Sequence, residues 1–128
     1  MKTILIMGST FDEPHAKKIT DKLDEYSIPW EQYAASAHKQ PLKVLEILES
    51  NKKEKEIVYV TIAGRSNALS GFVAANSKFP TIGCPPFSDK ADMLVNIHST
   101  LQMPSQTPVL TVIDPENCAL AVKRIFGV

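Results

Sequence analysis

Cysteine is scarce in this chain: Cys84 and Cys118 alone make no disulfide framework and no C-x-x-C ligand pair. Long hydrophobic runs are missing too. The run Ile4-Leu5-Ile6-Met7 falls far short of the roughly 18 residues a membrane span needs. Behind a single Lys2, it is also shorter than the roughly 7–15 residue core of a secretory signal. Neither sign of charge is in excess, with 14 Lys+Arg against 14 Asp+Glu, which argues against a basic surface for nucleic acid or anionic membrane. The three histidines are scattered and form no His-x-His or Glu-x-x-His pair, so no dedicated metal site is expected. What remains is ordinary globular composition, 44% hydrophobic and 22% charged over 128 residues. The expectation is one domain spanning 1–128, reduced and cytoplasmic.

The charge that is present is unevenly placed. Between Ile57 and Ser88 only Arg65 and Lys78 are charged. So long a neutral stretch needs cover, either from the protein's own core as two buried strands and a helix, or from a subunit interface. The composition favours a homo-oligomer.

Hydrophobic periodicity alternates between strand and helix. Residues 2–7 read as a strand ending at Gly8, and Asp12 to Tyr26 follow helical spacing with Ala16, Ile19, Leu23 and Tyr26 on one face. Residues 30–35 form a weaker second strand. Pro41 to Ser50 form a helix with Leu42, Leu45 and Leu48 expected inward, and Pro41 suits its first turn. Lys52 to Glu56 read as a solvated turn. The β-branched run 57–63 has the character of a strand buried on both faces. A small-residue helix over Asn67 to Lys78, a strand over Pro80 to Gly83 and a helix near Lys90 to Leu101 follow. A strand over Val109 to Ile113 and a helix over Glu116 to Phe126 complete the chain. Five strand–helix alternations predict an α/β fold: a three-layer α/β/α, flavodoxin-like parallel sheet of about five strands. Ligand sites in such folds lie at the carboxyl ends of the strands.

Those ends carry the chemistry. After the first strand, Gly8-Ser9-Thr10-Phe11-Asp12 offers backbone N–H groups and hydroxyls at a helix start, suited to a phosphate or to simple helix capping by Ser9, Thr10 or Asp12. After the second, Ser36-Ala37-His38-Lys39 sets an imidazole able to shuttle a proton beside an ammonium able to hold an anion. A plain surface loop is the alternative. After the third, Ala63-Gly64-Arg65-Ser66-Asn67 presents one charge among small residues, either an anion ligand or an interface ion-pair partner. After the fourth, Cys84-Pro85-Pro86 is a rigid turn that loses two N–H donors. Cys84 reads as a small buried residue rather than a nucleophile, since no histidine or positive cluster lies near it in sequence. His15 and His98 read as surface or interface residues. A receiver domain would need an Asp after the third strand, where Ala63-Gly64-Arg65 stands. A flavodoxin would want aromatic residues flanking its flavin, and only Phe87 is available.

Taken in order, Met7-Gly8-Ser9…Asp12, Ser36-Ala37-His38-Lys39, Ile62 to Gly71 (IAGRSNALSG), Cys84-Pro85-Pro86 and Met103-Pro104-Ser105 resemble the PurE family of purine biosynthesis from Lys2 to Phe126. Lys39 after His38 and the short loop at 64–71 resemble its class II members. Those are carboxylases of 5-aminoimidazole ribonucleotide (AIR) that act on carbon dioxide without ATP, biotin, metal or another cofactor. The resemblance implies a homo-octamer, or a tetramer, with AIR and carbon dioxide as small-molecule partners. It implies that Gly8, Ser9, Asp12, Ser36 and Lys39 hold the ribose phosphate part of the substrate. His38 would then be the catalytic acid and base, and Gly64, Arg65 and Ser66 would line the loop over the reacting carboxylate. The other readings are a class I N5-carboxyaminoimidazole ribonucleotide mutase and a non-catalytic nucleotide-binding paralogue. Two residues depart from the family pattern: Phe11 where Ser is usual, and Gln106 where Gly is usual.

Overall fold

The computed structural model describes residues 1–128. Its strands are β1 (Lys2–Met7), β2 (Trp30–Ala34), β3 (Ile57–Ile62), β4 (Thr81–Gly83) and β5 (Leu110–Thr111). Its helices are α1 (Glu13–Glu25), α2 (Pro41–Asn51), α3 (Leu69–Ala75), α4 (Lys90–Leu101) and α5 (Pro115–Phe126), with a 3₁₀ turn at Thr10–Asp12. The strands form one parallel sheet in the order β2-β1-β3-β4-β5. β1 pairs with β2 and β3, and apolar Ile4, Leu5 and Ile6 bury both of its faces completely.

Alternation along β1 and β3 divides the core in two. Leu5, Met7, Val58, Val60 and Ile62 face α1 and α5, where Ile19, Leu23, Cys118 and Val122 close the layer. Ile4, Ile6, Ile57 and Tyr59 face α2 and α3 through Val44, Ile47, Leu48, Leu69 and Val73. Truncating a side chain as enclosed as Leu5 would cost about 2–5 kcal/mol. Where α3 and α4 meet the sheet, a Cβ on Gly83 would lie 2.9 Å from the Thr100 methyl and 3.3 Å from Ser70 Oγ. Glycine there lets α4 approach the sheet closely.

Several boundaries differ from the sequence reading. The inward face of α2 is Val44, Ile47 and Leu48 rather than Leu42, Leu45 and Leu48, and Leu42 is 77% exposed. Val44, Ile47, Leu48 and Asn51 recur at i, i+3, i+4 and i+7 on one face of the helix, and Leu42 lies off that face. The expected helix over Asn67–Lys78 is only Leu69–Ala75, because Asn67 folds its amide back onto Ser70. The strand expected over Val109–Ile113 shrinks to two residues at the sheet edge. The neutral stretch is covered largely by the chain itself, since β3 and β4 are wholly buried. Large exposed apolar side chains lie mostly elsewhere, at Leu94, Val95 and Leu101 of α4 and at Leu110. No helix is long and apolar enough to cross a membrane.

Candidate active site

The loops leaving β1, β2 and β3 meet at the carboxyl edge of the sheet because these strands are neighbours. Gly8 N–H donates to Ile62 O at 2.9 Å, and Ala35 N–H donates to Met7 O at 2.8 Å. These ladder bonds carry the register of the sheet into the loops. Between them lies a cavity of about 240 Å³ lined by Gly8, Ser9 and Asp12, by Ser36, His38 and Lys39, and by Gly64, Arg65 and Ser66. Every site residue expected from the sequence therefore faces one space.

Each loop has its own local cause. Ser9 Oγ accepts from Phe11 N–H at 3.2 Å, so it caps the 3₁₀ turn and leaves the phenyl ring of Phe11 92% exposed. Burial raises the Asp12 carboxyl above its ordinary range, against the pull of His15 and of the Ser9 backbone. Ser36 organises the second loop: its Oγ accepts from Lys39 N–H at 3.2 Å and its carbonyl from Gln40 N–H at 2.7 Å. This tight turn sets the imidazole of His38 and the ammonium of Lys39 at the rim. His38 Nε2 lies 3.1 Å from the Ser66 carbonyl oxygen, which joins the second loop to the third.

The third loop is pinned from below. Asn67 Nδ2 donates to Ser70 Oγ at 2.8 Å and Thr100 Oγ1 at 3.0 Å, while Asn67 N–H donates to Ser99 Oγ at 2.6 Å. Thr61 and Ser70 hydroxyls meet at 2.6 Å beneath it. Arg65 pairs with Asp92 on α4, within the chain. The Ser88 N–H outweighs burial and holds the Asp92 carboxyl below its usual range, with Arg65 adding to the effect. The Arg65–Ser66 peptide is cis, and the bonds to Pro85 and Pro86 are trans. Sequence spacing gave no sign of Asn67 or Asp92 as supports, since Thr100 lies 33 residues from Asn67 and Arg65 lies 27 from Asp92.

Beside this cavity lies a more open one of about 460 Å³, sharing Asp12, Gly64 and Arg65 with it and reaching His15 and Phe87. Cys84 is fully buried, as expected, yet it does have a histidine at hand: His15 Nε2 stands 3.5 Å from its Sγ. The expectation of a thiol without a neighbouring base is thus corrected. His15, on the first turns of α1, is brought over the end of β4 by the sheet. It also meets the ring of Phe87 edge-on at 6.2 Å. His98 is exposed on α4.

Comparison with known proteins places this arrangement. The crystal structure of Treponema denticola PurE superposes with a TM-score of 0.90 at 43% identity, covering 98% of this chain and 79% of that one. The fold is of that flavodoxin-like α/β/α class. The family model for AIR carboxylase matches residues 2–128, and the chain belongs to the AIR carboxylase family. A phosphoribosylaminoimidazole carboxylase of Archaeoglobus fulgidus is 50% identical over 99% of this chain and 69% of its own. The chain is also 36% identical to a human bifunctional phosphoribosylaminoimidazole carboxylase/phosphoribosylaminoimidazole succinocarboxamide synthetase, and spans 30% of that longer protein.

Proposed function

We propose that this protein carboxylates AIR with carbon dioxide to give 4-carboxy-AIR, reversibly, as a class II enzyme of de novo purine biosynthesis. The observation that carries the reading is the single cavity in which an imidazole, an ammonium and a hydroxyl- and glycine-rich phosphate loop converge. Carbon 4 of AIR is an enamine carbon, nucleophilic enough to attack carbon dioxide directly. A bond forms between C4 and the carbon of carbon dioxide, and one oxygen takes the displaced electron pair as carboxylate. The intermediate still carries the original proton on C4. His38 removes it to restore the aromatic ring, and returns it in the reverse direction.

Lys39, Ser36, Gly8 and Ser9 hold the phosphate, and Asp12 holds the ribose, so that the ring is fixed against the imidazole. Backbone donors at Gly64 and Ser66, with Arg65, stabilise carboxylate charge. The enzyme works in the cytoplasm as a homo-octamer or a tetramer, with the exposed apolar side chains of α4 and Leu110 as candidate contacts. Light scattering reads that assembly.

Purified protein is given AIR and carbon dioxide without ATP, and the carboxylated product is followed by ultraviolet absorbance. Product should scale with carbon dioxide, and His38→Asn should fold and bind AIR without turnover. Conversion of N5-carboxyaminoimidazole ribonucleotide alone would identify a class I mutase instead. Ligand-dependent stabilisation without product from either substrate would identify a binding paralogue. Wild-type turnover by His38→Asn would remove His38 from the chemistry.

A further inference from the structure

A proton shuttle needs one defined ring nitrogen to carry the lone pair. A carbonyl oxygen can only accept, so the 3.1 Å contact between His38 Nε2 and Ser66 O requires the hydrogen on Nε2. In the neutral ring the lone pair then sits on Nδ1. His38 is on an exposed turn, and nothing in its own loop imposes this choice. The Ser66 carbonyl imposes it, and that carbonyl belongs to a loop of small residues whose neighbour Arg65 is tied to Asp92.

Asp92 is itself well held. Its Oδ2 accepts from Ser88 N–H at 3.0 Å, from Ser88 Oγ at 3.4 Å and from Asn96 Nδ2 at 3.3 Å. Its own N–H donates to the capping side chain of Asp89 at 2.8 Å. The Asp92 side chain is 21% exposed and that of Arg65 59%. A pair this exposed contributes little stability. Its effect is therefore on where the backbone after Gly64 lies rather than on whether the protein folds.

We propose that Asp92 is a positioning residue: by anchoring Arg65 it holds the Ser66 carbonyl against His38 Nε2 and so selects the tautomer whose Nδ1 takes the C4 proton. The logic is that of a catalytic imidazole oriented by a group that never touches substrate. It rests on His38 being the shuttle.

The test is the ring of His38 in ¹⁵N-labelled protein, its signals assigned by their loss in His38→Asn. In the wild type Nε2 should show a hydrogen-bearing signal and Nδ1 a bare one. Asp92→Asn keeps the shape and an acceptor for Ser88 N–H but removes the charge. It should move the ring signals toward a tautomer mixture. It should also lower kcat about tenfold or more while KM for AIR stays within about threefold. Arg65→Gln breaks the same link from an exposed side chain, and should produce the same ring shift even where Asp92→Asn fails to fold. Ring signals unchanged in whichever variant folds would overturn the proposal. An active His38→Asn enzyme would instead overturn the shuttle reading while leaving the ring result intact.

Discussion

Cys84 Sγ and His15 Nε2 stand 3.5 Å apart although 69 residues separate them. The neighbouring Cys118 thiol and, to a smaller extent, His15 outweigh burial to bring Cys84 down to about 6. Cys118 is pushed up in turn, by its neighbour Cys84 and by burial. A thiolate–imidazole pair of this kind gives measurable titration. Thiolate ultraviolet absorbance in the folded protein should rise with a midpoint about 6 and disappear in Cys84→Ser. Cys118→Ala and His15→Gln should each move that midpoint up, since each removes a group favouring the charged sulfur. An unmoved midpoint in both would contradict the pairing.

Tyr59 presents the opposite case, a polar group buried without reward. Its ring packs against Phe79 at 6.4 Å, but its hydroxyl is enclosed and meets no partner. Burial, with Tyr33 adding a smaller effect, pushes the phenol up to about 12. A folded value above the unfolded 10.0 means stability is fully present below pH 10 and lost as pH rises toward 12. Tyr59→Phe should therefore leave thermal stability at neutral pH unchanged or raise it by about 1 kcal/mol, and should flatten the alkaline decline. Denaturation followed from pH 7 to pH 11 checks both.

Asn67 is the inverse. Its amide satisfies Ser70 N–H at 3.0 Å and reaches Thr100 on another helix, so truncation strands several buried polar atoms at once. Asn67→Ala should cost about 1–3 kcal/mol in urea denaturation. It should also slow turnover, because the loop it pins carries Gly64, Arg65 and Ser66.

Gln106 occupies a left-handed backbone position, with φ 61°. A side chain with a Cβ is strained there, and the side chain is exposed. Gln106→Gly should raise stability by up to about 1 kcal/mol at the melting midpoint, with kcat unchanged.

Much of the architecture was legible because burial leaves periodic traces. The continuous apolar run of β3 and the alternating elements defined a parallel sheet, and chemistry concentrated at three strand ends. Ser36-Ala37-His38-Lys39 declared itself because reactive side chains stood together in a short turn. What stayed hidden depended on distance in sequence. Nothing local distinguishes Leu42 from Val44 until the sheet edge determines which one has a surface to pack on. Asn67 looks like a helix residue until Ser70, Ser99 and Thr100 claim its polar atoms. His15 looks like a surface residue until β4 brings Cys84 beneath it.

The order of elements along the chain separates the cavity lining from the layer that backs it. Every side chain lining the smaller cavity is synthesised by Leu69, whereas Cys118, Ala119 and Val122 of α5, which close one face over β1 and β3, come last. A nascent chain halted before Pro115 would carry the whole cavity lining with α1 lacking its helical neighbour. Without Cys118, Ala119 and Val122 the sheet behind the cavity would keep α1 as its cover there, so a centre lined by residues up to Leu69 leans on a helix that lines none of it.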